Sequence, residues 1–400
     1  MSYINRIFLS GYYLIVLLLA SYLPLANAQN SLLTPAPEIA ASSYLLVDVT
    51  ANQVLASKSA DVPIEPASLT KLMTAYITFD SLKNRKITLN QTFAVSEKAW
   101  RMPGSRMFID PKMRVPVEDL IKGMIVQSGN DAVMALAEGI GGSKENFVLM
   151  MNNQAQVLGM KSTTYKNPEG LTEAGHTTTA NDLRILAQRI MEDFPQFVHY
   201  YAIKKYHYPG TPVTNDTNRN LLLFRDPSID GLKTGHTDAA GYCLIATGKR
   251  NIAGLGPKGT AGPRRLLSIV LGTSSENARA NESQKLLNWG YSAFDSVKLY
   301  DANQSVSTPR VWKGVESSVE MGQTKPIVVA VPNGMASKIK TSIVRSDPII
   351  APVAQNQVIG SLKVTLADQP LNDLPLIALK PIPQSNIFGR AWDSMRLFIQ

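Results

Sequence analysis

The stretch Pro66-Ala67-Ser68-Leu69-Thr70-Lys71-Leu72-Met73-Thr74 decides how the rest of the chain reads. Pro63 and Pro66 disfavour helix immediately upstream. Beyond them Leu69, Leu72, Met73, Tyr76 and Ile77 recur at i, i+3, i+4, i+7 and i+8. That spacing predicts a helix from Ser68 to about Leu82 with one buried face. Ser68 and Lys71 then lie as neighbours on one side of it. A hydroxyl at a helix start beside a lysine is the arrangement of an activated nucleophile. An amine that is desolvated and set near other cations loses proton affinity, and can then take the hydroxyl proton.

Ser-x-x-Lys alone is a weak signal, because it recurs at Ser337 to Lys340 in a stretch with no helical pattern. Two further motifs change its weight. Ser128-Gly129-Asn130 follows the helical run Val117 to Val126, and Lys233-Thr234-Gly235 follows a short Ile/Leu segment. Ser-x-Asn recurs at Ser275 to Asn277, but Lys-Thr-Gly occurs once. The three motifs in this order form the signature of serine β-lactamases and penicillin-binding proteins.

Each residue type has a chemical reason to be there. An acyl-transfer site needs a nucleophile, a base, an oxyanion hole and a grip on the substrate. In such a site Ser68 is expected to attack an amide carbonyl, with Lys71 accepting its proton. Ser128 relays that proton to the leaving amine, since a hydroxyl both donates and accepts. Asn130 is expected to orient Lys71 and the substrate amide. Lys233 and Thr234 are expected to hold a terminal carboxylate, and Gly235 to let the substrate backbone approach closely. Backbone N–H groups of Ser68 and His236 are expected to meet the oxyanion.

After its first residues the chain reads Asn5-Arg6, a mostly apolar run from Ile7 to Leu25 and Ala26-Asn27-Ala28, which describes a signal peptide over residues 1–28. An uncleaved membrane anchor is the alternative; both export the remainder. The single Cys243 excludes an intrachain disulfide, and its apolar surroundings predict a buried, inert thiol. The formal charge of +9 favours an anionic surface or substrate but is too diffuse to argue nucleic-acid binding. His176, His199, His207 and His236 lack metal-ligand spacing, so neither a metal nor a cofactor is expected.

Strand patterns precede the nucleophile helix (43–49, 53–56) and recur at 229–236, 242–248 and 266–273, with helices between. This predicts an α+β (mixed α/β) domain over 29–295, an antiparallel sheet with helices packed on it. Lys249 to Arg265, rich in Gly and basic residues, reads as an exposed loop. From about Ser296 the pattern becomes that of a small all-β domain, 296–382, with clean alternation at Leu362, Val364 and Leu366. In the tail, 383–400, Ile387, Phe388, Ala391, Trp392, Met395, Phe398 and Ile399 line one helical face. Arg390, Asp393, Ser394 and Arg396 line the other, as in a helix that lies in a membrane interface. The competing expectation is a helix packed on the β domain.

Taken together, Pro66 to Lys71, Gln127 to Ala132, Asn218-Arg219-Asn220, Asp230 to Thr237, Val311-Trp312-Lys313-Gly314 and the amphipathic tail resemble the low-molecular-weight penicillin-binding proteins that are D-alanyl-D-alanine carboxypeptidases. The resemblance covers nearly the whole mature chain and implies a β-lactamase/transpeptidase-like catalytic domain. It implies a serine peptidase that removes the terminal D-alanine from peptidoglycan stem peptides and is acylated by penicillins. It also implies Arg219 as a helper of Lys233 on the substrate carboxylate, and tail anchoring to the outer leaflet of the cytoplasmic membrane, on the periplasmic side. Rival expectations are a β-lactamase using Glu169 or Glu173 to activate water, a DD-endopeptidase on the same residues, and a non-catalytic wall-binding protein.

Overall fold

The computed structural model describes residues 35–399. The expected signal peptide lies outside them. Apolar residues on both faces of a strand call for cover on both sides, and the first strand, β1 (Ser43–Asp48), is buried along nearly its whole length. It pairs with β2 (Gln53–Lys58) as a hairpin. Three later strands complete the sheet: β3 (Ile229–Thr237), β4 (Gly241–Ile252) and β5 (Gly262–Thr273). All pairings are antiparallel and the order is β2-β1-β5-β4-β3, so β3, which carries Lys-Thr-Gly, is an edge strand.

Alternate residues along these strands feed two cores, as a period of two requires. Leu45, Val47, Cys243, Ile245, Leu267 and Ile269 face a helical layer. Leu46, Leu244, Ala246, Leu266 and Val270 face the opposite side. The helical layer contains α1 (Lys71–Lys83), α2 (Val117–Val126), α3 (Asn130–Gly141), α4 (Lys144–Leu158) and α5 (Ala180–Asp193). The opposite side is covered by α6 (Glu276–Ala293).

The one-faced helix expected after Pro66 is corrected in two ways. Ala67–Thr70 is a 3₁₀ turn, and α1 is buried on all sides from Lys71 to Phe79. Its threonines are what allow this. Thr74 donates to the Pro168 carbonyl (2.7 Å) and Thr78 to the Thr74 carbonyl (2.8 Å), so their hydroxyls enter the core satisfied.

The expected loop Lys249–Arg265 is also corrected. Strands β4 and β5 run on to Ile252 and from Gly262, leaving a short tip at 253–261. The reason is Arg264, which is 1% exposed although it sits in a basic, glycine-rich stretch. Its Nε donates to Asp48 Oδ2 (2.8 Å) and its Nη1 to the Phe294 carbonyl (2.8 Å).

That ion pair stands where the chain passes into its all-β part. Strands β6 (Phe294–Tyr300) and β7 (Ile327–Pro332) pair with each other. The four-stranded sheet runs Met321–Gly322, β10 (Gln369–Ala378), β9 (Val358–Leu366), β8 (Ile339–Val344). Leu362, Val364 and Leu366 are all buried in its core, as their alternation predicts. Ser296 Oγ also donates to Asp48 Oδ2 (3.0 Å), and Gln53 exchanges two hydrogen bonds with the Ala330 backbone. The last helix, α7 (Ile387–Ile399), buries no residue, with Phe388 85% and Phe398 94% exposed. A helix packing its apolar face on the β domain is therefore not what forms. Asp393 on the polar face accepts from the Lys313 N–H (2.6 Å) instead.

Removing one member of a buried ion pair leaves the other charge uncompensated. Arg264→Ala is expected to cost about 3–5 kcal/mol of unfolding free energy in urea titrations. Lys340→Ala, which breaks the exposed Lys340–Asp368 pair, is expected to cost under about 1 kcal/mol.

Candidate active site

The 3₁₀ turn sets Ser68, half-buried, one turn before Lys71, whose side chain is carried into the interior. Lys71 Nζ donates to Ser68 Oγ (2.9 Å) and to the Glu169 backbone carbonyl (2.6 Å). Burial lowers its pKa to about 7. Glu169 and Asp131 pull the other way, and Arg219 adds to the lowering. An amine so placed can be neutral near neutral pH, which a surface lysine cannot.

The Glu169 carbonyl belongs to a loop clamped on the nucleophile turn. Pro168 receives Thr74, and Thr178 and Ile64 exchange backbone hydrogen bonds. His176 Nδ1 accepts from the Lys166 N–H (3.0 Å), which leaves the Nε2 proton to be donated to Thr70 Oγ1 (2.8 Å). Burial pushes the His176 pKa down to about 4, so the ring is neutral. Gly170 has φ +89° and a Cβ there would lie 1.9 Å from the Ala67 carbonyl oxygen, so only glycine lets the loop come this close.

Across the cleft Ser128 adopts φ +58°, uncommon for a residue with a side chain and typical of strained functional turns. Its Oγ accepts from Lys233 Nζ (3.0 Å). Burial holds Lys233 well below its ordinary pKa, and Lys71, Arg219 and Arg279 add to the effect. The two lysines named by the sequence motifs thus each sit on a serine, and both serines line one cleft. Asn130 differs from expectation. It does not bond Lys71, because its Nδ2 donates to the Pro103 carbonyl (2.7 Å), and its Oδ1 is left without a partner.

A cleft of about 200 Å³ joins these groups, with Ser68, Ser128, Arg219, Thr234, Gly235 and His236 in its wall. Gly235 lies against the nucleophile turn, where a Cβ would come within 3.3 Å of the Leu69 nitrogen. His236 is exposed and stacks on Tyr242 at 3.9 Å. Two larger cavities, beside β2 and in the all-β part, are lined by none of the motif residues.

Three contributors were not read from the sequence. Arg279, 2% exposed, donates to the Gly235 carbonyl (3.3 Å) and to the Arg219 carbonyl (3.5 Å), and so supports both from below. Asp131 is fully buried and accepts from the Met107, Phe108 and Ile109 N–H groups, which shapes the loop next to Ser105. Glu169 takes part through its carbonyl, which no residue pattern reveals.

Residues 30–255 match the family described as D-alanyl-D-alanine carboxypeptidase, and residues 294–384 match the C-terminal domain of penicillin-binding protein 5. The chain is 37% identical over 366 residues to the D-alanyl-D-alanine carboxypeptidase DacC of Escherichia coli (strain K12), covering 90% of this chain and 88% of the relative. It is 33% identical over 372 residues to DacF of Bacillus subtilis (strain 168), covering 91% and 92%. The crystal structure of penicillin binding protein 5 from Haemophilus influenzae superposes with a TM-score of 0.79 at 34% identity, over 88% of this chain and 100% of that one. The ampicillin-bound form of Penicillin-Binding Protein D2 from Listeria monocytogenes gives a TM-score of 0.56 at 29% identity, over 64% and 100%.

Gly170→Ala is expected to push the loop off the nucleophile turn and take the Glu169 carbonyl from Lys71. Acylation by a fluorescent penicillin is expected to slow at least about tenfold, the scale of a small misplacement at a reacting centre. Circular dichroism is expected to stay native.

Proposed function

We infer the reaction from family and geometry together: the chain belongs to the D-alanyl-D-alanine carboxypeptidase family, whose members are serine hydrolases. In this proposal it removes the terminal D-alanine from peptidoglycan stem pentapeptides through an ester on Ser68. The observation that carries it is the 2.9 Å contact between a buried lysine and Ser68, with a second lysine–serine pair across the same cleft.

The substrate's terminal carboxylate enters among Lys233, Thr234 and Arg219, where the net field is positive. Ser68 Oγ attacks the carbonyl of the penultimate D-alanine while neutral Lys71 takes its proton. Backbone N–H groups of Ser68 and His236 hold the oxyanion. When the tetrahedral species collapses, the C–N bond breaks, and the leaving amine receives the proton from Lys71 by way of Ser128. Asn130 Oδ1, unpartnered in the free protein, accepts from the substrate amide. Water then hydrolyses the ester and restores Ser68. Penicillins, whose strained amide and carboxylate imitate the D-Ala-D-Ala end, acylate the same serine.

A β-lactamase fits less well. Glu169 directs its carboxylate toward Lys144 and Glu173 accepts from Asn167, and neither lines the cleft. A DD-endopeptidase uses the same residues on a cross-linked peptide and is separated by its product.

The remaining assignments support this role. Export by residues 1–28 places a catalytic domain of 29–295 outside the cytoplasm, and the all-β domain of 296–382 spaces it from the membrane. Among the described residues no helix is long and apolar enough to cross a membrane. The exposed apolar face of α7 suits a helix lying in the outer leaflet interface instead, with Trp392 (59% exposed) at headgroup level.

Intact mass spectrometry after incubation with benzylpenicillin is expected to show one adduct on the wild type and none on Ser68→Ala. Release of D-alanine from a diacyl-D-Ala-D-Ala peptide is expected to disappear with it. The rate of acylation is expected to rise through about pH 7, because Lys71 must be neutral to act, and to fall about tenfold per unit below. Deleting residues 386–400 is expected to abolish co-sedimentation with anionic phospholipid vesicles while leaving D-alanine release from the soluble peptide unchanged.

A further inference from the structure

The Glu169 carbonyl receives Lys71, but its side chain has no part in the reaction just described. That side chain is 2% exposed, lies 4.0 Å from Lys144 Nζ through Oε1, and leaves Oε2 without a hydrogen-bond partner. Carboxylates are seldom buried this far unless paired. The pairing is specific, because Lys144 opens α4 while Lys71 opens α1, and Glu169 stands between these elements in the clamped loop. Glu173 is the other acid acting on it; Arg219 and Asp131 are the remaining charges that act on Lys71, while Lys71, Arg219 and Arg279 act on Lys233 across the cleft.

We infer that Glu169 is a positioning residue for the general base: its buried carboxylate, 4.0 Å from Lys144 and on the residue whose carbonyl holds Lys71, supplies the negative charge on the closed side of the Lys71 amine. This rests on Lys71 being the base for Ser68. Burial raises the Glu169 pKa, and Lys144 is the largest influence opposing that rise. In turn Glu169 is the largest influence holding the Lys71 pKa up against burial. Without the carboxylate Lys71 becomes neutral at lower pH and is a weaker base once neutral. Lys144 acts only through Glu169, since losing it lets the buried acid take a proton.

The test is the pH dependence of the acylation rate constant with a fluorescent penicillin, for wild type, Glu169→Gln, Lys144→Met and the double variant, each checked by its melting temperature. Glu169→Gln is expected to move the acid limb down by about one pH unit and to lower the alkaline plateau. Lys144→Met is expected to move the limb the same way, and the double variant no further than Glu169→Gln. An unmoved limb with a lowered plateau, or additive shifts in the double variant, would overturn the inference. Should Glu169→Gln fail to fold, Lys144→Met decides: a lowered limb supports the inference and an unmoved one overturns it. A wild type that forms no Ser68 adduct would instead remove the underlying reading of Lys71.

Discussion

A lysine amine with 1% exposure, held between a serine hydroxyl and a backbone carbonyl, is the constraint on which this structure turns. Burying an ammonium is costly, and proteins commonly meet the cost by letting the group lose its proton. That loss is what the proposed role of Lys71 as general base requires. The surrounding architecture keeps the amine dry: α1 is enclosed by other helices and the sheet, and the loop around Asn167–Gly170 closes the remaining side. The carbonyl of Glu169 satisfies the amine without supplying a full countercharge, so Lys71 stays a base rather than becoming a salt bridge.

Charge is distributed to the same end. Arg219 and Arg279 line the small cleft with the two serines that hold the lysines; Lys71, Arg219 and Arg279 raise the cost of protonating Lys233, and Arg219 does the same to Lys71. Such a cluster repels itself until an anion arrives, which is what a substrate with a free terminal carboxylate provides. Of the acids nearby, Asp131 is taken up by four backbone N–H groups, Glu169 faces Lys144, and Glu276 in the cleft wall is paired with Arg279. Edge strand β3 carries Lys233, Thr234 and Gly235 beside the nucleophile turn, and Arg279 fixes the Gly235 carbonyl on that strand.

Much of this was legible in the residues, and the exceptions have physical causes. Motif order carried Ser68, Lys71, Ser128 and Lys233 because they are side chains at fixed spacing, and the structure sets each lysine on its serine with both serines lining one cleft. Strand periodicity carried the sheet, since two cores need alternating or continuous apolar runs. The expected orienting contact from Asn130 to Lys71 is replaced by a bond to Pro103, because the amide follows the neighbouring loop rather than its own motif. Lys249–Arg265 looked like solvent-exposed chain because composition cannot show that Arg264 finds Asp48, far away in sequence and buried beside it. The Glu169 carbonyl was invisible for a simpler reason: every residue has one.

The domain junction and the tail extend the same logic outward. Arg264, Asp48, Ser296 and Gln53 join the all-β part to the first hairpin through buried or satisfied polar contacts, so the cleft is carried on a firm support. The central claim concerns one proton. Heteronuclear NMR titration of the free protein with isotopically labelled lysines, the signal assigned by Lys71→Arg, reads it directly. The account predicts an inflection for Lys71 at about 7, while an inflection near the ordinary lysine value of about 10.4 would contradict it.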